Sequence, residues 1–291
     1  MIYLVFLIYT LITTGQSALN KIYRKSIDDD TMKDCITFLG TLVVETVFYS
    51  ILSGFDLRVN GVTAFYAFMF ALAVAINTLV SMRALENSEL VIYSLFSNAG
   101  GTIWTAILGL ILFNESITIS RALGLVLIMA TIIIPFVTAK KSKTGGKGIF
   151  WCSMMFFTAS LPTLVLKFYS QAEGVLGDSI LCFYTNVFTI PFILYLLKKK
   201  GTVAGTVKAM VTKYKKPVMI AVLSMICTCI TTIIYIKVIA QIDLIVISII
   251  GKGLGLISLS LFGLFVFKEK ISTSKIICII LSVLAVAVTI I

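Results

Sequence analysis

Ten runs of roughly twenty mainly apolar residues leave this chain little choice of fold. They cover about 2–22, 35–53, 62–84, 90–113, 119–139, 149–169, 179–197, 217–239, 244–267 and 274–291. About 20 such residues are what a helix needs to cross the hydrocarbon layer. Nothing in that layer can hydrogen-bond an open backbone, so each run must pair its peptide groups internally, as a helix, or close into a barrel. The runs are too long for barrel strands and lack strict alternation, which selects helices. With 59% hydrophobic and 13% charged residues and a mean hydropathy of +1.08, the chain falls far below the roughly 25% charge of soluble domains. The fold class expected is all-α integral membrane, with ten transmembrane helices and a multi-pass location in the cell membrane.

The net charge of +11 would suggest nucleic acid in a soluble protein. Here the cations fall in the short connectors between apolar runs and read as topology signals. Connectors after odd-numbered runs hold most lysines and arginines, including the seven lysines of 198–216, whereas those after even-numbered runs hold little beyond Arg58, Arg121 and Lys237. This predicts that the odd connectors are cytoplasmic and both termini external. The 198–216 connector reads as a basic loop near anionic headgroups. The six cysteines fall mostly inside apolar runs, with no CxxC pair and no histidine in the chain. They read as small buried hydrophobes, and no metal or cofactor is expected. Without histidine, and with no nucleophile–base pair or glycine-rich phosphate loop in any connector, an enzyme is not expected. Residues 1–10 carry no basic segment and no cleavage site follows, so no cleavable signal is read.

The stretch Tyr235–Lys275 occurs twice. A shift of 154 positions pairs Arg83 with Lys237, Asn87 with Gln241, Glu89 with Asp243, Ser94 with Ser248, Gly101 with Gly255, Glu115 with Glu269 and Arg121 with Lys275. Polar and glycine positions match as well as apolar ones, the mark of duplication. A fainter match at a spacing of 146 pairs Gln16 with Pro162, Lys21 with Lys167 and Tyr23 with Tyr169. The halves are then 1–139 and 149–291, joined by a linker at 140–148. Each holds five runs, an odd number, so the second half must enter the membrane inverted. Inverted repeats characterise secondary transporters.

These motifs resemble the drug/metabolite transporter superfamily, in particular its ten-helix EamA-like branch. The likeness rests on Met82-Arg83-Ala84-Leu85, Phe113-Asn114-Glu115 and Ser120-Arg121-Ala122-Leu123-Gly124, echoed by Tyr235-Ile236-Lys237-Val238-Ile239, Phe267-Lys268-Glu269 and Ser274-Lys275. It implies a basket of helices, a central cavity lined by the first, third, fourth, sixth, eighth and ninth runs, and alternating access. The family proline about thirteen residues before the first glutamate is replaced by Thr102. The family also implies cytoplasmic termini, against the lysine distribution. Phe183-Tyr184-Thr185-Asn186 is similar to the FYNN motif of nucleotide-sugar transporters.

Ionisable groups at bilayer depth are functional candidates by default. Two qualify. Lys252 lies in the ninth run among Gly251, Gly253 and Gly255, and its repeat mate is Asn98. It reads as an anchor for a carboxylate or phosphate, or as part of an internal ion pair. Glu45 lies near the middle of the second run and reads as a carrier of a coupling proton or cation, or as a structural hydrogen-bonding group. Gln16 and Asn20 share a helical face with Thr13 and Ser17, as Asn77 does with Ser81 and Ser224 with Thr228, Thr231 and Tyr235. Such stripes line a hydrated cavity or glue helices together. Pro162 and Pro191 are expected kinks. The expected substrate site is Lys252, Asn98, Gln16, Asn20, Asn77, Tyr184 and Asn186, with Glu45 as the coupling group. The expected activity is movement of a small polar metabolite, an amino acid or related organic acid, with export favoured by the family likeness. A lipid-linked sugar flippase, a nucleotide-sugar-like exchanger and a non-transporting membrane subunit are the alternatives. The expected partners are the bilayer, the small-molecule substrate and a coupling proton or cation, with no nucleic acid, for a monomer or homodimer.

Overall fold

The computed structural model describes residues 2–28, 30–88, 90–138, 145–200, 212–265 and 273–290. The regular structure among them is helical: α1 (Ile2–Lys25), α2 (Asp30–Leu52), α3 (Gly61–Asn87), α4 (Leu90–Ala99), a π-helical turn (Gly100–Trp104), α5 (Thr105–Phe113), α6 (Ile119–Thr138), α7 (Gly146–Thr158), α8 (Leu161–Gln171), α9 (Asp178–Lys200), α10 (Lys215–Gln241), α11 (Leu244–Phe265) and α12 (Thr273–Ile290). Among the described residues seven stretches are helical, long and apolar enough to span a bilayer: Ile2–Asn20, Cys35–Leu52, Gly61–Asn87, Ile92–Phe113, Gly146–Gln171, Lys215–Gln241 and Leu244–Phe262. Ile119–Ile134, Asp178–Leu194 and Ile276–Ile290 are shorter apolar helices. Large apolar side chains such as Val47, Phe65, Ile111 and Val126 are exposed, as a lipid-facing surface requires. The chain is a multi-pass helical membrane protein. The repeated glutamate Glu269, the basic segment 201–211 and most of the linker at 140–148 lie outside the described residues.

The chain forms two compact units, Met1–Thr10 with Ala73–Ser170 and Lys237–Ile291, and Leu11–Leu72 with Gln171–Ile236. Both draw on the two sequence halves. In the first, α12 packs along α6 and α11, α11 also meets α5 and α6, and α4 lies against α6 and α7. Ala106, Ile128, Ile245, Ile249 and Ala285 form its core. At Gly253 a methyl would strike Val286, so the missing side chain is what lets α11 approach α12.

Two expected helices are interrupted here. The run at 90–113 carries the π-turn at Gly100–Trp104, and that at 149–169 breaks at Ala159 and Ser160, just before Pro162. Proline has no N–H and is accommodated best in the first turn of a helix, which is where Pro162 stands as α8 restarts. The interruptions touch. A Cβ at Gly100 would collide with the Phe156 backbone, and the Trp104 and Phe157 rings meet edge to face at 5.4 Å.

In the second unit α2 packs against α9, and Tyr23, Ile27, Ile36, Ala221 and Met225 form a core cluster. Asn60 caps α3 by accepting from the Thr63 N–H at 2.8 Å, as an asparagine before a helix should. Thr63 Oγ1 accepts from the Leu176 N–H at 2.9 Å, tying the connector before α9 to that same end.

Candidate functional site

Within the first unit, α11 carries Lys252 about eight residues, or roughly 12 Å, from its start. The Lys252 Nζ donates to Asn98 Oδ1 at 3.0 Å, and the two residues are 154 apart in sequence. The lysine therefore bonds the residue that the 154-position shift of the sequence sets against it. Asn98 turns its amide nitrogen to Ser94 Oγ at 3.1 Å. Gly101 lies against the lysine: a methyl there would stand in van der Waals contact with it, 3.7 Å from Nζ. Among the described residues no carboxylate lies within salt-bridge distance of Lys252.

Asn98 stands two residues before the π-turn. Thr102 is fully buried in that turn and donates its hydroxyl to the Asn98 carbonyl at 2.9 Å. A π-turn displaces the normal i to i−4 ladder, and such turns concentrate at functional positions. The helix irregularity is present without a proline, and it presents Asn98 to Lys252.

A second polar cluster surrounds the α10–α11 turn. Asn114 takes a left-handed conformation (φ 51°) after α5, and the Glu115 N–H returns to the Gly109 carbonyl at 3.2 Å, a helix ending of Schellman type. This aims the Glu115 carboxylate at the start of α11, where it accepts from the Leu244 N–H at 2.6 Å and the Ile245 N–H at 3.1 Å. Arg121 pairs with Asp243 at 2.8 Å. Lys167, on α8 and 4% exposed, donates to the Ile239 and Ile242 carbonyls at 3.0 and 2.8 Å. An acid at a helix start and an ammonium on carbonyls at a helix end both complement the helix dipoles. Lys167 is the buried lysine that the sequence reading passed over; its match with Lys21 was the available signal.

The remaining expected site residues fall as follows. In the second unit, Gln16 donates to Thr228 Oγ1 at 2.7 Å and Asn20 accepts from Ser224 Oγ at 2.8 Å, so two of the predicted stripes face each other. Tyr184 donates to the Leu57 carbonyl at 2.7 Å, tying α9 to the connector after α2. The Asn186 side chain lies beside the Glu45 carboxyl, and its buried amide nitrogen makes no well-formed hydrogen bond among the described residues. In the first unit, Asn77 Oδ1 is buried and without a donor. The structure thus brings Lys252 to Asn98, Gln16 and Asn20 to α10, and Asn186 to Glu45. Chemically, an ammonium held by an amide, with no carboxylate partner among the described residues, keeps N–H groups that can be donated to an anion.

No family model and no curated protein matches the chain. It is similar to a solved structure described only as "Crystal structure of protein", with a TM-score of 0.70 at 12% identity over 97% of this chain and 94% of that one. At that identity the likeness is one of fold.

Proposed function

We propose that this protein is a secondary transporter of the drug/metabolite, EamA-like type, moving an amino acid or related organic acid across the cell membrane by alternating access. The observation that carries the reading is the Lys252–Asn98 pair: an ammonium at bilayer depth, without a carboxylate partner among the described residues, hydrogen-bonded to the position 154 residues before it. Leaving a charge there is expensive unless a cavity or ligand compensates it. In two inverted five-helix repeats, mates that touch would lie on the pseudo-two-fold axis, where transporters of this kind bind substrate. The interrupted helices beside the pair fit the discontinuous helices that line such sites. Lys252 would take the substrate carboxylate and Asn98 a neighbouring polar group. Asn77, with its buried unpaired acceptor, would serve an ammonium or hydroxyl.

The test is uptake and counterflow of a panel of radiolabelled amino acids and monocarboxylates in reconstituted vesicles. Any transport found in the parent should collapse in Lys252→Ala. It should return in part in the exchange variant N98K/K252N, which moves the charge to the mate position. Unchanged transport in Lys252→Ala would sink the site assignment.

A further inference from the structure

The hydrogen bonds at Lys252 leave donors over. An ammonium has three N–H groups and no acceptor, and Lys252 gives one of them to Asn98 Oδ1 at 3.0 Å. That contact fixes which way the Asn98 amide faces, since its nitrogen has nothing a lysine could use. The amide nitrogen spends one of its two N–H groups on Ser94 Oγ at 3.1 Å. Among the described residues, two N–H groups of Lys252 and one of Asn98 are then left to give away. A carboxylate, which only accepts, matches that set, whereas an ammonium, which only donates, does not.

Charge points the same way. Among the described residues of the first unit, the acids stand at helix ends and are engaged: Glu86 with Arg83 at 3.2 Å, Asp243 with Arg121 at 2.8 Å, and Glu115 with the first N–H groups of α11. Lys252 thus remains an unbalanced positive charge at bilayer depth, where charge is costly. A monoanion neutralises it. A zwitterion brings no net charge, and its ammonium would find no free carboxylate among those residues.

One acceptor comes to the same level from α3. Asn77 and Ser81 share a face of that helix, and the Ser81 hydroxyl meets the Tyr93 hydroxyl of α4 at 2.7 Å. A connector of a few residues joins α3 to α4, so the two run antiparallel. One turn along each helix from that contact, Asn77 comes level with about residue 97, and counting out from the connector sets it level with about residue 100. Asn98 lies between. Asn77 Oδ1 is buried and has no donor among the described residues, an arrangement that calls for an explanation. A single ligand hydroxyl would satisfy it.

We propose that the Lys252 site takes a small hydroxy monocarboxylate, its carboxylate on Lys252 and Asn98 and its hydroxyl on Asn77, in preference to an amino acid of the same skeleton. That this ligand is cargo rests on the transport reading above; the order of binding does not.

Lactate, propionate and alanine share one skeleton and differ in carrying a hydroxyl, a hydrogen or an ammonium. The corresponding three acids of the leucine skeleton make a larger set. Calorimetric titration of the full-length protein in nanodiscs should place the hydroxy acid first in at least one set, about tenfold or more tighter than its deoxy analogue, with the amino acid no tighter than the deoxy acid. Asn77→Ala should remove the advantage of the hydroxyl and leave the deoxy acid unchanged, whereas Lys252→Gln should weaken both. An amino acid that binds as tightly as its hydroxy acid in either set, an advantage that survives Asn77→Ala, or no binding by either set would each overturn the proposal. If Asn77→Ala fails to fold, the order in the unaltered protein decides alone. Hydroxy acids that bind in this order but are not moved in reconstituted vesicles would fault the transport reading and leave the site standing. Amino acids moved in preference to hydroxy acids would do the reverse.

Discussion

Replacing Glu115 tests how the irregular ends of these helices are held. Its carboxylate satisfies two of the free N–H groups at the start of α11, at 2.6 and 3.1 Å. Such groups at a helix start have no partner within the helix. Loss of a side-chain cap costs about 0.5–2 kcal/mol, and loss of the acid from the positive end of the helix dipole a further 0.3–1 kcal/mol or so. Glu115→Ala should therefore cost about 1–3 kcal/mol, and Glu115→Gln, which keeps one acceptor oxygen, about half as much. At about 2–4 °C per kcal/mol, the alanine variant should melt roughly 2–12 °C below the parent, by fluorescence of the detergent-solubilised protein. The effect should not add to that of Lys167→Met. Lys167 holds the other side of the same turn through the Ile239 and Ile242 carbonyls, and residues sharing a turn couple energetically. A Glu115→Ala melt within about 1 °C of the parent, or strict additivity with Lys167→Met, would refute the argument.

Further outcomes follow from the same geometry. Gly100→Ala should fail to fold or melt far below the parent, because its methyl meets the Phe156 backbone, which cannot rotate away. Gly15→Ala, with nothing within 4 Å, should leave the melt unchanged or raise it by the roughly 1 kcal/mol that separates glycine from alanine in a helix. At the α2–α3 connector, Arg58 holds the Asp56 carboxyl down at about 2 through two hydrogen bonds. A depressed carboxyl stabilises above its ordinary value and loses that contribution as the pH falls from about 4 to 2. With the side chains 91% and 50% exposed, solvent screens the pair, so Asp56→Asn should leave the melting profile above pH 4 unchanged.

Much of the architecture was legible before any coordinates. The apolar runs and the anomalous lysine Lys252 are statements about one segment and its solvent, and local chemistry decides them. The scaffold role of Glu115 was also legible, because its motif occurs twice, but its partners were not. Lys167 was passed over, because its burial depends on carbonyls 72 and 75 residues later in the chain. The predicted binding residues divided in a way no spacing could forecast: Gln16 and Asn20 found partners on α10, Tyr184 became a tie to Leu57, and Asn186 came to lie beside Glu45. Periodicity says which face of a helix is polar and is silent on which other helix that face meets.

The amino-acid order by itself determined that this chain lives in a membrane as a series of helices, since a backbone in hydrocarbon must satisfy itself and apolar runs of this length have one way to do so. It also determined where charge would be costly. The tertiary structure alone decided how each cost is met: Lys252 by the Asn98 amide, Lys167 by two helix-end carbonyls, and Glu45 with Asn186 beside it. Those pairings depend on helix register and crossing, which thousands of weak packing contacts set together. They are also the positions from which function is argued.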